Sequence, residues 1–232
     1  MDALKVSLVL CPLNKTMEVK IDVETTSRIH DQAKALFMKY GIRSVSMDDI
    51  SRECGMSKKT IYQYFADKDQ LVEAIIEQDI SQMQEECDMS FKDSANAIDE
   101  IFLTMDRTLV HFQDLNPMLL YDLHKFHFNS YKKFKENKDT YLLQIIRKNI
   151  LRGIEEGLYR TDLNVEVLSR FRLESLMIPF NLEAFPPTKY NLAEVTLVII
   201  EHFVFGLTTL EGHNLIVKYQ QERNKKKKDD NR

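Results

Sequence analysis

The sequence is poor in the residues that interrupt helices. It contains six glycines and five prolines among 232 residues. Glycine and proline mark most tight turns and loops, so their scarcity disfavours a protein built from many short strands. It also disfavours enzyme folds whose sites depend on glycine-rich loops, and no common catalytic motif is present. The long stretches without either residue favour an all-helical protein that is not an enzyme.

Cysteines and long apolar runs are also scarce. The three cysteines, Cys11, Cys54 and Cys87, are odd in number and widely separated. They form no CxxC pair, so we expect neither a disulfide framework nor a zinc site, and a reducing compartment such as the cytoplasm fits. The most apolar window, 192–210, is interrupted by two glutamates, which indicates a buried helix and not a membrane span.

The net charge of the chain is negative, so the protein as a whole is not attracted to nucleic acid. The formal net charge is −4, so contact with nucleic acid would require a local basic patch. The segment 56–66 is such a patch, because it contains Lys58 and Lys59 and no acidic residue. A second basic run lies in 218–232, where two aspartates follow it. We expect that segment to be a solvated charged tail and not a DNA-binding arm.

The first part of the chain contains residues that typically begin and end short helices. Apolar residues recur at helical spacing over 26–40. Ser46 can cap a second helix that ends at Gly55, and Ser57 can cap a third that runs to about Phe65. Two short helices joined by a tight glycine turn are typical of a helix-turn-helix.

The third helix is predicted to present a polar face to solvent. Ile61 points inward, so the outward face is centred near Gln63, with Lys59 beside it and Thr60 and Tyr62 at its edges. Lysine can contact guanine, glutamine can bridge adenine, and threonine offers a hydroxyl and a methyl group to the major groove. A plain solvated helix is the alternative, which two exposed tyrosines disfavour. The helix N-terminus, at Ser57 and Lys58, is expected near phosphates.

These residues carry a family resemblance. The stretch 29–76, and above all DDISRECGMSKKTIYQYFADKDQLVEAI, resembles the DNA-binding region of the TetR/AcrR family of bacterial transcriptional regulators. The resemblance implies base contacts from four residues: Lys58, Lys59, Thr60 and Gln63. It implies phosphate contacts from four others: Ser46, Tyr62, Tyr64 and Lys68. Lys59 stands where family members commonly have a small residue, which adds a side chain able to contact guanine.

Beyond about residue 80 the resemblance is one of architecture. It implies an all-α fold in which a three-helix DNA-binding domain is joined by a fourth helix to a helical dimerisation and effector domain. The predicted units are an N-terminal arm (1–24), the helix-turn-helix domain (25–71), the effector-binding and dimerisation domain (72–217) and the charged tail (218–232).

The second domain has residues for two predicted surfaces. Two helices, 165–178 and 192–210, are expected to pair with the same helices of a second subunit, the alternative being a core helix of a monomer. The predicted interface residues are Val167, Phe171, Val195, Ile199 and Phe203. A small apolar effector is expected among adaptable apolar side chains. The predicted pocket residues are Met83, Phe102, Met105, Phe112, Met118, Phe126, Tyr141, Phe171 and Met177.

The predicted function is that of a homodimeric repressor that a small apolar effector releases from a palindromic operator in double-stranded DNA. The alternative is a DNA-binding dimer whose second domain docks a protein partner and takes no small molecule. We expect no cofactor, no metal and no membrane contact, and a bacterial cytoplasmic, nucleoid-associated location. His124 and His127 lie near Asp122, but no third well-placed metal ligand accompanies the histidine pair.

Overall fold

The computed structural model describes the backbone of residues 13–112 and 115–230, and within those ranges the side chains from 23 to 223. The described residues form helices and connecting turns without a β-sheet, so the predicted all-α class is confirmed. No helix among them is both long and apolar enough to cross a membrane. The α-helices are α1 (Leu13–Tyr40), α2 (Met47–Glu53), α3 (Lys58–Tyr64), α4 (Lys68–Asp93), α5 (Ala97–Phe112), α6 (Met118–Phe126), α7 (Phe128–Asn137), α8 (Leu143–Glu155), α9 (Val165–Ser175), α10 (Leu192–Leu207) and α11 (Leu210–Asp230).

The N-terminal helices enclose a first core, to which Leu123 of α6 also contributes. Side chains from α1, α2, α3 and the first half of α4 pack together there, including Ile29, Phe37, Ile50, Ile61, Phe65, Leu71 and Ile75. Helix α1 begins at Leu13 and not near residue 26, because no glycine or proline interrupts 13–40. The described part of the expected N-terminal arm is therefore helical, while residues 1–12, and Cys11 with them, lie outside the described residues. The thiols of Cys54 and Cys87 are free and buried.

Helix α4 connects the two domains. Asp67 caps it by accepting a hydrogen bond from the Gln70 amide at 2.8 Å. Its 26 residues correspond to a length of about 39 Å. The N-terminal half belongs to the first core, and the C-terminal half packs against α5 and α7. It ends at Asp93, and Ser94 is its C-cap.

The C-terminal domain has a second core. Helices α5, α8, α10 and α11 contribute to it, with Phe102, Met105, Ile150, Phe203, Leu207 and Ile216 among its members. Helix α7 begins at Phe128, and a π-helical turn at Lys138–Leu142 joins it directly to α8. A short 3-10 helix at Ile178–Phe180 follows α9.

The last helix replaces the predicted charged tail. Ile216 in α11 is fully buried, and the Tyr219 ring lies edge-on to Phe102 with 5.7 Å between ring centres. Arg223 donates a hydrogen bond to the Phe102 carbonyl and pairs with Asp106. These contacts dock α11 on α5, so the segment from residue 218 to Arg223 is part of the folded domain.

Candidate nucleic-acid interface

Helix α2 begins with a complete capping box. The Ser46 Oγ accepts a hydrogen bond from the Asp49 amide at 3.2 Å, and the Asp49 carboxylate accepts one from the Ser46 amide at 2.9 Å. The Ser46 hydroxyl also donates to the Asp49 carboxylate, at 2.6 Å. The hydrogen bonds that the Ser46 hydroxyl and amide donate to this carboxylate hold the pKa of Asp49 below its usual value. A phosphate contact from Ser46 would therefore have to replace the hydrogen bond that its hydroxyl donates.

The turn between α2 and α3 is set by Gly55. Its φ of +61° lies in the left-handed region, which side chains rarely adopt. The Met56 amide then bonds to the Ser51 carbonyl at 2.9 Å, which closes the turn. Ser57 caps α3 by accepting a hydrogen bond from the Thr60 amide at 3.1 Å. The two helices thus have fixed start points and a fixed crossing, as the sequence predicts.

The outward face of α3 is exposed and free of acidic residues. Ile61 is fully buried beneath it, whereas Lys59 and Gln63 are exposed and 42% of the Tyr62 side chain is accessible. Among the described residues, no hydrogen bond or ion pair engages Lys59, Tyr62 or Gln63. These three side chains are therefore available to a ligand laid against the helix.

Other predicted contact residues have partners within the protein. The Lys58 ammonium lies 2.8 Å from a carboxylate oxygen of Asp48, and this hydrogen bond raises the pKa of Lys58. Thr60 is half-buried, and its hydroxyl lies 2.8 Å from that of Ser57. Tyr64 is half-buried against the first core. These side chains are positioned in part by the fold itself.

Lys68 has a structural contact that the sequence pattern did not indicate. Its ammonium group donates hydrogen bonds to the carbonyl oxygens of Ile42 and Val45, the latter at 2.6 Å. It also lies 5.7 Å from the centre of the Phe37 ring. Burial lowers the pKa of Lys68. The side chain predicted to hold phosphate thus ties the first turn of α4 to the loop between α1 and α2.

Helix α6 forms a second connection between the domains. The Asp122 carboxylate accepts a hydrogen bond from the Arg43 amide at 2.9 Å. The Nδ1 atom of His127 lies 2.6 Å from a carboxylate oxygen of Asp69 in the first turn of α4. Two of the three residues considered as metal ligands are therefore engaged in this contact, and the His124 ring packs against Tyr131.

The predicted pocket residues do not surround one space in the described part of the chain. Phe102 and Met105 are buried in the second core, and the Tyr141 hydroxyl bonds to Gln84 and Asp88 on α4. The exposed ones are Met118, Phe126 and Phe171. Met83 and Phe112 are half-buried, the latter against Phe180.

Met177 lies in a different place, at an open cleft of about 430 Å³. The cleft runs between α7, the π-helical turn and α9. Its other lining residues include the rings of Tyr131 and Phe134 and five charged side chains: Lys135, Lys138, Asp139, Arg170 and Glu174. This lining is more polar than the predicted effector pocket.

The predicted interface residues fall into two groups. Val167 and Phe171 on α9 are 60% and 54% exposed. Val195 and Phe203 on α10 are buried within the protomer's own core, and Ile199 is half-buried. The exposed stripe of α10 carries Glu194, Val198 and His202, and Val198 is 63% exposed.

This helix-turn-helix matches a known family model. The model described as "Bacterial regulatory proteins, tetR family" matches residues 29–75. The N-terminal domain of this chain belongs to the TetR family. The match begins in α1 and ends in the first half of α4, so it contains the capping box, the glycine turn and the exposed face of α3.

Relatives in sequence share mainly this part of the chain. An uncharacterized HTH-type transcriptional regulator of Bacillus subtilis, YvaF, is 35% identical over 89 residues, which are 38% of this chain and 47% of YvaF. The HTH-type transcriptional regulator UidR of Escherichia coli K12 is 40% identical over 55 residues, 24% of this chain and 28% of UidR. The matches therefore span less than half the length of these relatives.

Solved structures of transcriptional regulators share the fold over most of the chain. A TetR-family regulator of Streptomyces coelicolor, SCO4454, has a TM-score of 0.63 at 15% identity and covers 81% of this chain and 97% of its own. FadR of Bacillus subtilis, solved with stearoyl-CoA, has a TM-score of 0.61 at 20% identity and covers 78% and 98%. The two-domain helical architecture is thus that of these regulators.

Proposed function

We propose that this TetR-family chain is a homodimeric transcription regulator that represses by binding a palindromic operator and is released by a small effector. The observation that carries the proposal is the exposed face of α3. Lys59, Tyr62 and Gln63 lie there unengaged and without a neighbouring acid on the helix. A short helix with such side chains fits the major groove, where base edges differ in their donors and acceptors.

The other DNA contacts follow from the position of this face. The amide end of α3 at Ser57, and the side chains of Ser46, Lys58 and Tyr64 near it, would lie along the phosphate backbone. Lys68 would contribute one remaining N–H donor, since two of its three are directed at carbonyl oxygens. Phosphate contacts fix the register of the helix, while Lys59 and Gln63 distinguish bases.

A dimer is expected because one α3 reads only half a site. Two such helices bind tightly when their spacing matches one DNA turn or a multiple of it. Val167 and Phe171 on α9 and Val198 on α10 expose large apolar surfaces in the second domain. Pairing these helices with the same helices of a second copy would bury those surfaces.

An effector in the second domain would act by changing that spacing. Helix α4 begins beside the DNA-binding core and ends in the second domain, and α6 touches both domains. The solved FadR relative in fold contains stearoyl-CoA, which supports a ligand-binding second domain in this architecture. Displacement of α4 or α6 would separate the recognition helices from their half-sites.

Selection of bound sequences from a random DNA pool tests the proposal. We expect a palindrome with half-sites about one turn apart. Gln63→Ala should relax discrimination at one base pair per half-site, by about 1–3 kcal/mol. Gln78→Ala is a matched control, because Gln78 is exposed on α4 away from α3. Selection of no sequence over the starting pool, or of an asymmetric single site, would contradict a dimeric operator-binding function.

A further inference from the structure

Two cations, one from each domain, lie at the same aromatic ring. The Arg43 guanidinium, in the loop between α1 and α2, lies 5.0 Å from the centre of the Phe126 ring at the end of α6. The Lys125 ammonium lies 5.5 Å from the same ring centre. Both cationic side chains are exposed, and 39% of Phe126 is accessible. Because like charges repel, two cations at one ring are held most favourably when an anion binds both.

No described carboxylate forms an ion pair with either cation. The Lys125 ammonium donates a hydrogen bond to the Tyr121 hydroxyl at 2.8 Å, which leaves its charge uncompensated. Many other cations of this acidic chain lie against carboxylates, as Lys133 does at 2.7 Å from Glu73. The end of α6 therefore differs from most of the charged surface, because its positive charges are available to an external anion.

The carboxylates of this junction are engaged in other contacts. Asp122 is buried and accepts a hydrogen bond from the backbone amide of Arg43 at 2.9 Å. Asp69 lies 2.6 Å from the Nδ1 atom of His127. These contacts hold the end of α6 against the α1–α2 loop and the first turn of α4. They do not engage the side-chain charges of Arg43 and Lys125.

The elements that meet α6 here carry predicted phosphate contacts. Arg43 lies three residues before Ser46, the N-cap of α2. Lys68, in the first turn of α4, donates hydrogen bonds to the carbonyl oxygens of Ile42 and Val45 in the same loop. The predicted phosphate contacts therefore border the α1–α2 loop, and α6 packs against that loop from the second domain.

We propose that Arg43 and Lys125 together bind a phosphate group of the DNA backbone beside each operator half-site, so that the second domain contacts DNA directly. The inference rests on the operator binding proposed above and adds a contact to it. A phosphate offers the charge and the acceptor oxygens that a guanidinium and an ammonium share. DNA is favoured over an acidic protein or a lipid surface because the pair lies beside the N-cap of α2 and the first turn of α4.

This contact would also link DNA binding to the arrangement of the domains. One phosphate would lie between the α1–α2 loop of the first domain and α6 of the second. Bound DNA would therefore favour the arrangement in which α6 meets that loop. Since phosphates carry no sequence information, the contact should raise the affinity for DNA without changing which bases are preferred.

The test measures how the affinity of the full chain for the selected operator depends on salt. Lys125→Met and Arg43→Met each remove one charge and keep an apolar stem that can cover Phe126. Each should lower affinity about 10-fold at physiological salt. Each should also reduce the slope of log affinity against log salt concentration by about 2, because one phosphate contact is lost in each subunit. Lys125→Arg keeps the charge and should keep the parent slope.

Uncharged methylphosphonates, placed one at a time in the operator backbone, locate the contact. One position on each strand, outside the bases that define the half-sites, should weaken binding by the parent. The same substitution should not weaken binding by Lys125→Met further, because the contact is already absent. If Lys125→Met instead acted through the fold of the first domain, every methylphosphonate would weaken it as much as the parent.

Lys92→Met is the matched control. Lys92 is exposed, has no ion pair with a described residue and lies near the far end of α4, about 36 Å from Lys68. The control removes the same charge and should leave affinity and salt slope close to those of the parent. All of these variants should unfold at the temperature of the parent, since each replaced side chain is exposed.

Two results would overturn the inference while leaving the proposed function intact. One is an unchanged salt slope in both Arg43→Met and Lys125→Met, which would assign these cations to another anionic partner. The other is an equal loss in Lys92→Met, which would show a general effect of net charge. A parent chain that selects no operator would contradict the proposed function and this inference together, so the two kinds of failure are distinguishable.

Discussion

The two domains are specified by contacts of very different range. In the N-terminal domain, the contacts that begin α2 and α3 and close the turn between them join residues three to five positions apart, such as Ser46 with Asp49 and Ser51 with Met56. The C-terminal domain has local caps as well, at Asn164 and Asn191, but the contacts that hold its helices against one another are distant. The Asn149 amide bonds to the Ala97 carbonyl, and Asn96 bonds to Tyr219 across 123 positions. Local chemistry can be recognised in a sequence, whereas distant pairing depends on how the helices pack.

The same contrast appears in two glycines. Gly55 is required for its backbone conformation, since a Cβ there would meet nothing closer than 3.9 Å. Gly153 is required for space, because a Cβ there would overlap the ring of Tyr159. That ring is fully buried, and its hydroxyl lies 3.3 Å from the Asn149 side-chain oxygen. Gly55 is needed for the conformation of its own turn, whereas Gly153 is needed because the Tyr159 ring packs against it.

The largest expected effect comes from filling the space at Gly153. Gly153→Ala should lower the free energy of unfolding by about 3 kcal/mol, because the added methyl group forces Tyr159 from its site. Thermal or urea unfolding measures the loss. Gly206→Ala is the control, since a Cβ on that helical glycine has open space and should not destabilise. Equal stability of the parent and Gly153→Ala would show that Tyr159 can move without cost.

The next effect concerns the exposed apolar surface of the second domain. Val198→Glu should raise the dissociation constant of the dimer about 100-fold, since a carboxylate there would lose water without gaining a partner. Analytical sedimentation measures the change. Val110→Glu on α5 is the matched control, because Val110 is 67% exposed and lies outside α9 and α10. A Val198→Glu variant that remained dimeric would place the interface elsewhere. Phe203→Asp is unsuitable as a test, because Phe203 belongs to the protomer's own core.

Much of the N-terminal domain could be predicted from its sequence, and the reason is physical. Ser46 and Ser57 are confirmed as N-caps that satisfy free amides of the helices that follow them, and Asp67 caps α4 in the same way. Gly41 and Gly55 have the positive φ values that end α1 and α2. Each of these roles depends only on residues a few positions away in the sequence, so it can be recognised without knowledge of the fold.

The C-terminal domain was less predictable for two reasons. The π-helical turn at Lys138–Leu142 has no breaker residue, so packing and not local preference produces it. Helix α11 did carry a signal, the helical spacing of Ile216, Tyr219 and Arg223, but the lysine run after them indicated a tail.

A smaller effect should separate the two roles of Lys68. Lys68→Met removes charged hydrogen bonds to the carbonyl oxygens of Ile42 and Val45, so the N-terminal domain should lose about 2 kcal/mol of stability. Lys59→Met should lose less than about 0.5 kcal/mol, because Lys59 is exposed on α3. Hydrogen exchange of the amides in the first core, measured at increasing denaturant concentration, compares the stability of the two variants. If the two variants were equally stable, the hydrogen bonds of Lys68 would not stabilise the domain, and phosphate contact would be its remaining role.

The smallest expected effect lies where the two domains meet, and it tests whether α4 alone joins them. Asp122→Ala leaves the Arg43 amide without its acceptor, which should cost about 1 kcal/mol. The loss should raise hydrogen exchange in the turn after α1 and in the first turn of α4, while exchange in the second core stays unchanged. Asp122→Asn keeps an oxygen that can accept the bond and should restore protection. If α4 were the whole connection, Asp122→Ala would leave hydrogen exchange near Arg43 unchanged. A Gly-Gly insertion after Glu77 would then abolish the coupling between effector binding in the second domain and DNA binding in the first. Because Asp122 on α6 contacts Arg43, and His127 directly after α6 contacts Asp69, that insertion should leave part of the coupling in place. Combining it with Asp122→Ala should remove most of the remainder.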